Sequence, residues 1–274
     1  MGTTKRERQK AGRQARLEEA RRAQLAAQRR RRVVGTVVIG VVVIGGLFLW
    51  TQVLGGGDEE DAADPAEGFA YGTGECAPTE PPAEPTRTFT DAPQECIDPS
   101  LAYTAVLDTS EGVIRVALDT TATPGTVNNF VTLARYGYYD GTPIFRTDTS
   151  IAIIQGGDTA QDAPGPGYTI PDEGDGFSYQ PGQLVMARTQ QPDSAGAQWF
   201  FTAGPESSNL SADSGQPGGG TYVPFGTVVE GLDVVQAILA LDAGGAPSRE
   251  VTVNSVTIEE GPTPATSTPP TTAA

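Results

Sequence analysis

The 274-residue chain contains no histidine, and both of its lysines, Lys5 and Lys10, lie in the first ten residues. Beyond residue 54 the only cations are six arginines against 31 Asp and Glu, a net charge of −25. A surface of that sign with no basic cluster argues against nucleic-acid binding by this part of the chain. With no imidazole to complete a site around the two thiols, Cys76 and Cys96, a metal site at that pair is not expected. No metal or other cofactor is expected.

Charge of either sign is also absent from Val33 to Leu54, VVGTVVIGVVVIGGLFLWTQVL. As a helix these 22 residues are roughly 33 Å long, enough for a hydrocarbon core of about 30 Å. Residues 1–32 carry twelve Lys and Arg against three Glu, and acidic GGGDEED follows the apolar run. The positive-inside rule then places the N-terminus in the cytoplasm and the rest outside a cell membrane crossed once. A buried core helix and a cleaved signal peptide are the alternatives; no small-residue cleavage site follows closely. The basic segment reads as a helix against anionic headgroups, with contact to nucleic acid or the translation apparatus as the alternative.

Residues 55–101 are acidic and rich in Pro, Gly and Ala, which reads as a tether. In an oxidising compartment its two cysteines, Cys76 and Cys96, enclosing nineteen residues, are expected to form a disulfide of about 3 kcal/mol. Two free thiols are the other possibility. The tail 261–274, with GPTPATSTPPTTAA, reads as disordered.

The remaining segment, 102–260, reads as one globular domain. YTAVLDTSEGVIRVALDT at 103–120 predicts two strands joined by a tight turn, with Ile114, Val116 and Leu118 on one face. TATPGTVNNFVTLARYG predicts a helix with Thr123 as N-cap, Pro124 at its first turn and Gly137 past its end. Val127, Phe130, Val131 and Ala134 form its core-facing stripe. A second helix is expected near Leu232–Leu241 and a closing strand at 250–258. Short strands with two helices predict a mainly β fold, a closed antiparallel barrel capped by helices and preceded by the transmembrane helix.

Four stretches in order, LDTSEGVIRVALDTTATPGTVNNFVTLARYGYYDGTPIFR, IIQGGD, GQLVMARTQQPDSAGAQWFFT and YVPFGTVVEGLDVV, resemble the bacterial cyclophilins, a family of peptidyl-prolyl isomerases. The resemblance implies an eight-stranded antiparallel barrel with two capping helices. It also implies proline-containing, unfolded or extended polypeptides as partners, no cofactor, and a chain expected to be monomeric. Arg146 matches the family's catalytic arginine, Gln155 the glutamine that binds the carbonyl before proline, and Phe200 the floor of the proline pocket. Ile153 falls on the lining of that pocket, and Leu210 and Tyr222 on its opposite wall. Ala187, Arg188 and Gln198 belong to the adjoining groove.

Such chemistry needs no histidine. Rotation about X–Pro is opposed by amide resonance, and a guanidinium donating to the pyramidalising prolyl nitrogen weakens that resonance in the transition state. The sequence departs from the family between Arg146 and Gln155, which are nine steps apart, one more than usual, with the family's Pro-Gly-Phe missing. Ala152 stands near the lost phenylalanine, so a looser pocket is expected. Asn209 stands where many eukaryotic members have tryptophan, and 211–222 is long and glycine-rich. Two functions follow: an isomerase assisting the folding of secreted or envelope proteins outside the membrane, or a non-catalytic module binding proline-containing segments.

Overall fold

In the computed structural model residues 69–78, 82–216 and 218–262 are described. The basic segment, the span expected at 33–54 and most of the C-terminal tail lie outside these residues. Among the described residues no helix is long and apolar enough to cross a membrane.

Alternation with period two builds the first hairpin. Strands β1 (Leu101–Thr109) and β2 (Gly112–Leu118) pair antiparallel, burying Ile114, Val116 and Leu118 and leaving Val113 45% exposed. Seven further strands follow: β3 (Thr142–Pro143), β4 (Arg146–Asp148), β5 (Ile153–Gly156), β6 (Gln183–Met186), β7 (Trp199–Thr202), β8 (Pro224–Glu230) and β9 (Thr252–Pro262). They form one curled antiparallel sheet in the order β3-β9-β1-β2-β8-β6-β7-β5-β4.

The expected closed eight-stranded barrel is corrected in this respect: the sheet has nine strands, and its end strands β3 and β4 form no ladder with each other. The reason is local. β3 and β4 are consecutive in the chain, separated only by Ile144 and Phe145. Ile144 N–H donates to Val251 O on the β9 side (2.8 Å) and Phe145 N–H to Gln155 O on the β5 side (3.1 Å). Pro143 has no N–H to offer. The covalent chain crosses the seam, so the donors there point to opposite edges.

Helix α1 (Pro124–Arg135) lays Val127, Phe130, Val131 and Ala134 on the sheet, all 4% exposed or less. Phe130 stacks on Tyr139 with centroids 5.1 Å apart and meets Phe225 at 5.2 Å. Burying each such ring contributes about 1.5–3 kcal/mol. Gly137, at φ +68°, ends the helix: its N–H reaches Ala134 O and Tyr138 N–H reaches Leu133 O, the paired bonds of a Schellman turn. At the N-terminus Thr123 holds the N-cap position with Pro124 in the first turn, as expected. Thr123 makes no side-chain cap; the Glu173 carboxylate, from a distant loop, accepts Gly125 N–H (2.9 Å) and Thr126 N–H (2.6 Å). A carboxylate also suits the positive end of the helix dipole better than a hydroxyl. Helix α2 (Leu232–Leu239) buries Val235 and Ile238.

The expected tether is not a tether from Phe69 onward. Ala92 and Ile97 join the buried core, and Phe69 lies so close to α1 that a Cβ on Gly125 would come within 2.2 Å of its ring. Asn128, 1% exposed, accepts Cys96 N–H (2.6 Å) and Ile97 N–H (3.2 Å) and donates to Gln94 O (2.8 Å). The Arg87 guanidinium donates to the carbonyls of Tyr138 and Asp140. A disulfide joins Cys76 to Cys96, with their Cα atoms 5.4 Å apart. Scattered apolar residues suffice here because a finished helix face is already there to receive them.

Candidate functional site

Antiparallel register places Arg146 opposite Gln155, Gln155 opposite Phe200, and Phe200 opposite Val185. Directly paired residues share a face, so this row runs across β4, β5, β7 and β6 on one side of the sheet. The next row, Thr147, Ile154, Phe201 and Leu184, is fully buried on the other side. The sheet thus separates the main core from a smaller apolar cluster of Ile153, Tyr179, Val185 and Phe200. Ile151, Ala187, Leu210 and Tyr222 flank that cluster, and the Tyr222 ring meets Phe200 edge-on at 5.6 Å.

A polar chain runs along one margin of this cluster. Arg146 donates through Nη1 to Gln155 Oε1 (3.1 Å) and through Nη2 to Asp148 Oδ2 (2.8 Å). Gln155 Nε2 donates to Gln198 Oε1 (3.1 Å), and Gln198 Nε2 to Gln161 O (3.1 Å). Gln155 is 9% exposed, whereas the Arg146 side chain is 32% exposed, so the guanidinium is partly open to solvent. Of its five N–H donors, these two bonds leave others for a bound molecule. Burial pushes the Asp148 carboxyl up, but hydrogen bonds from Ser150 and from Arg146, with the Arg146 charge, outweigh it and hold the carboxyl below its ordinary value. It remains the ionised partner of Arg146.

This is an apolar floor edged by a charged donor and a row of amides. It can hold a proline and donate hydrogen bonds to the amide groups next to it. The comparisons agree: residues 104–258 match the family model described as cyclophilin type peptidyl-prolyl cis-trans isomerase/CLD. The chain belongs to the cyclophilin-type peptidyl-prolyl cis-trans isomerases. It is 38% identical over 160 residues to the peptidyl-prolyl cis-trans isomerase cyp18 of Streptomyces antibioticus, covering 57% of this chain and 95% of that one. It is 33% identical over 162 residues to peptidyl-prolyl cis-trans isomerase B of Escherichia coli strain K12, covering 56% and 97%. A crystal structure of a cyclophilin type isomerase of Cryptosporidium parvum aligns over 59% of this chain and 99% of that one, at 25% identity and TM-score 0.48.

Of the residues singled out in the sequence, the cyclophilin domain gathers Arg146, Gln155, Ile153, Phe200, Leu210 and Tyr222 around the apolar cluster. A cavity of about 470 Å³ lies beyond Leu210 and Tyr222, lined also by Ser150, Ile151 and Asn209. A groove of about 310 Å³ lies on the other side, lined by Gln155, Ala187, Arg188 and Gln198. Arg188 is used differently from a free groove residue. Its Nε donates to Thr221 O (3.0 Å), its Nη1 to Gln191 O (2.7 Å), and it pairs with Asp172 at 3.4 Å with only 9% of the side chain exposed. It therefore ties together the loops that form the groove wall.

Ala152 is packed outside the apolar cluster. It is 2% exposed at φ +45°, with Gly204 so close that a Cβ there would lie 3.1 Å from the Ala152 Cβ; Ile151 takes the pocket side. Asn209 Nδ2 donates to Ser150 O (3.1 Å), holding this altered loop. Sequence reasoning missed Tyr179. Its hydroxyl donates to Tyr222 O (2.7 Å) and accepts Tyr222 N–H (2.9 Å), fixing the backbone of the pocket wall. Burial pushes its phenol well up, so it stays protonated and able to donate.

Proposed function

We propose that the chain is a membrane-anchored isomerase that turns over X–Pro bonds in extended or incompletely folded polypeptides outside the membrane. The observation that carries the catalytic part is the single row Arg146–Gln155–Phe200, which sets a charged donor, an amide and an apolar floor on one face. The proline ring rests on Phe200 between Ile153, Leu210 and Tyr222. Gln155 donates to the carbonyl preceding proline, in an orientation set by Arg146 on one side and Gln198 on the other. As the C–N bond twists, the prolyl nitrogen loses conjugation and gains a lone pair, and Arg146 donates to it.

That interaction exists only in the transition state, so it lowers the barrier without tightening substrate binding. The uncatalysed barrier is about 18–20 kcal/mol. A 10⁴-fold acceleration requires roughly 5.4 kcal/mol, and one charge-assisted hydrogen bond supplies about 1.5–3. The remainder comes from holding ring and carbonyl in a fixed relation.

The location outside the membrane rests on the basic residues before the uncharged run 33–54 and the acidic residues after it. A non-catalytic role as a binder of proline-containing segments is the second reading, favoured by the departure of the 147–153 loop from the family pattern. A protease-coupled assay of the full chain in detergent micelles, on a peptide containing one X–Pro bond, separates the two. Turnover supports the isomerase; binding without turnover supports the module.

A further inference from the structure

The strand that carries Arg146 is short and lies at one end of the sheet. β4 is three residues long, terminal in the strand order, and paired on one side only, with β5. A preorganised donor has to be held to within about 0.5 Å, and so short a ladder offers few bonds to do it. The other edge of β4 is covered by the turn that follows α2. Thr147 N–H donates to Gly245 O (3.2 Å), Thr147 Oγ1 donates to Asp242 Oδ1 (2.6 Å), and that same oxygen accepts Gly245 N–H (3.0 Å).

The turn is itself anchored. Asp242 N–H donates to Leu239 O (3.0 Å) at the end of α2, Ala243 N–H to Ala246 O (2.9 Å), and Ser248 N–H to Leu241 O (2.8 Å). Thr147 is 0% exposed, and pleat alternation puts it on the face opposite Arg146 and Asp148. Fixing Thr147 from below therefore fixes the direction in which its two neighbours project. The hydroxyl of Thr147, with Gly245 N–H after it, holds the Asp242 carboxyl below its ordinary value. An ionised carboxylate only accepts, so the Thr147 hydroxyl must be the donor, and one arrangement is selected.

We propose that Asp242 is a positioning residue for isomerisation, clamping the free edge of β4 through Thr147 and so holding the Arg146 guanidinium over the proline site. This rests on Arg146 acting in the transition state. The clamp does not touch substrate, so its loss should appear in kcat rather than KM, and only where Arg146 is present to be misplaced.

The test uses the full chain in detergent micelles, with kcat and KM separated, for Asp242→Ala, Thr147→Val and Thr147→Ser, each with and without Arg146→Ala. With Arg146 present, Asp242→Ala and Thr147→Val should lower kcat about tenfold with KM within about twofold, and Thr147→Ser should keep most of the rate. In the Arg146→Ala background the same substitutions should cost nothing further. Thr147→Val preserves shape and carries the test if Asp242→Ala does not fold. Wild-type kcat in folded Thr147→Val, or an equal loss with and without Arg146, overturns the clamp while leaving the role of Arg146 intact. Full activity in Arg146→Ala alone instead overturns the role of Arg146 and the clamp with it.

Discussion

Arg146 and Gln155 stand directly opposite each other on β4 and β5, with Nη1 3.1 Å from Oε1. The bond orients the glutamine: its oxygen is occupied by the guanidinium and its Nε2 donates to Gln198 Oε1, which leaves one N–H for a substrate carbonyl. Removing the arginine therefore removes one donor and leaves the second held by Gln198 alone. Gln155→Ala removes only the orienting amide, and kcat/KM should fall about tenfold, less than for loss of the arginine. A loss larger than that of Arg146→Ala, in parallel steady-state measurements, would place the glutamine at the centre of the chemistry instead.

Tyr179→Phe leaves the Tyr222 N–H and C=O without their shared partner. The expected cost is about 1–3 kcal/mol in denaturant unfolding, with a several-fold rise in KM for proline peptides as the Tyr222 wall loosens. Unchanged stability and unchanged KM would show that water replaces the hydroxyl without consequence.

Replacing Cys76 and Cys96 together by serine should lower unfolding free energy by about 3 kcal/mol in the chain-entropy model. Reductant should lower the melting temperature of the parent chain and leave the serine variant unmoved. Equal sensitivity of both to reductant would rule out this disulfide as the cause.

The pH dependence follows from the site's composition. With no histidine in the chain, kcat/KM should be flat between about pH 6 and 9. The Asp148 carboxyl has its folded value below its unfolded one, so the stability it contributes is complete above the unfolded value of about 3.9 and is lost as pH falls through the folded one. Activity and stability should decline together in that acid range. A titration centred near neutrality would point to a proton-transfer group that this account does not contain.

A reporter enzyme fused after Ala274 should be active only outside the cytoplasm. Cytoplasmic activity of that fusion would remove the proposed anchor orientation.

What was legible in the sequence was what depends on neighbours along the chain. The β1–β2 alternation and the α1 stripe of Val127, Phe130, Val131 and Ala134 are local periodicities, and both elements form where those patterns lie. The grouping of Arg146, Gln155 and Phe200 came from ordered motifs, not from composition. What depends on distant partners stayed hidden. Glu173 caps α1 from 48 residues away, and Tyr179 holds Tyr222 from 43 residues away; no spacing rule connects either pair. The segment containing Ala92 and Ile97 has the composition of a tether, and its few apolar side chains become core only because α1 offers them a surface. Arg188 illustrates the same limit, since its groove position was legible but its burial against Asp172 and Thr221 was not.

The most direct test of the account is kcat/KM of Arg146→Ala on a single X–Pro peptide, measured beside its thermal unfolding. The Arg146–Asp148 pair is part-exposed on both sides, so stability should move by less than about 1 kcal/mol. kcat/KM should fall by about 10²–10³, the range for losing one preorganised charge-stabilising donor. Arg146→Lys should recover only part of the rate, because a point charge lacks the planar fork. A folded Arg146→Ala variant with the parent's full isomerase activity would contradict the account and leave the arginine as no more than the partner of Asp148.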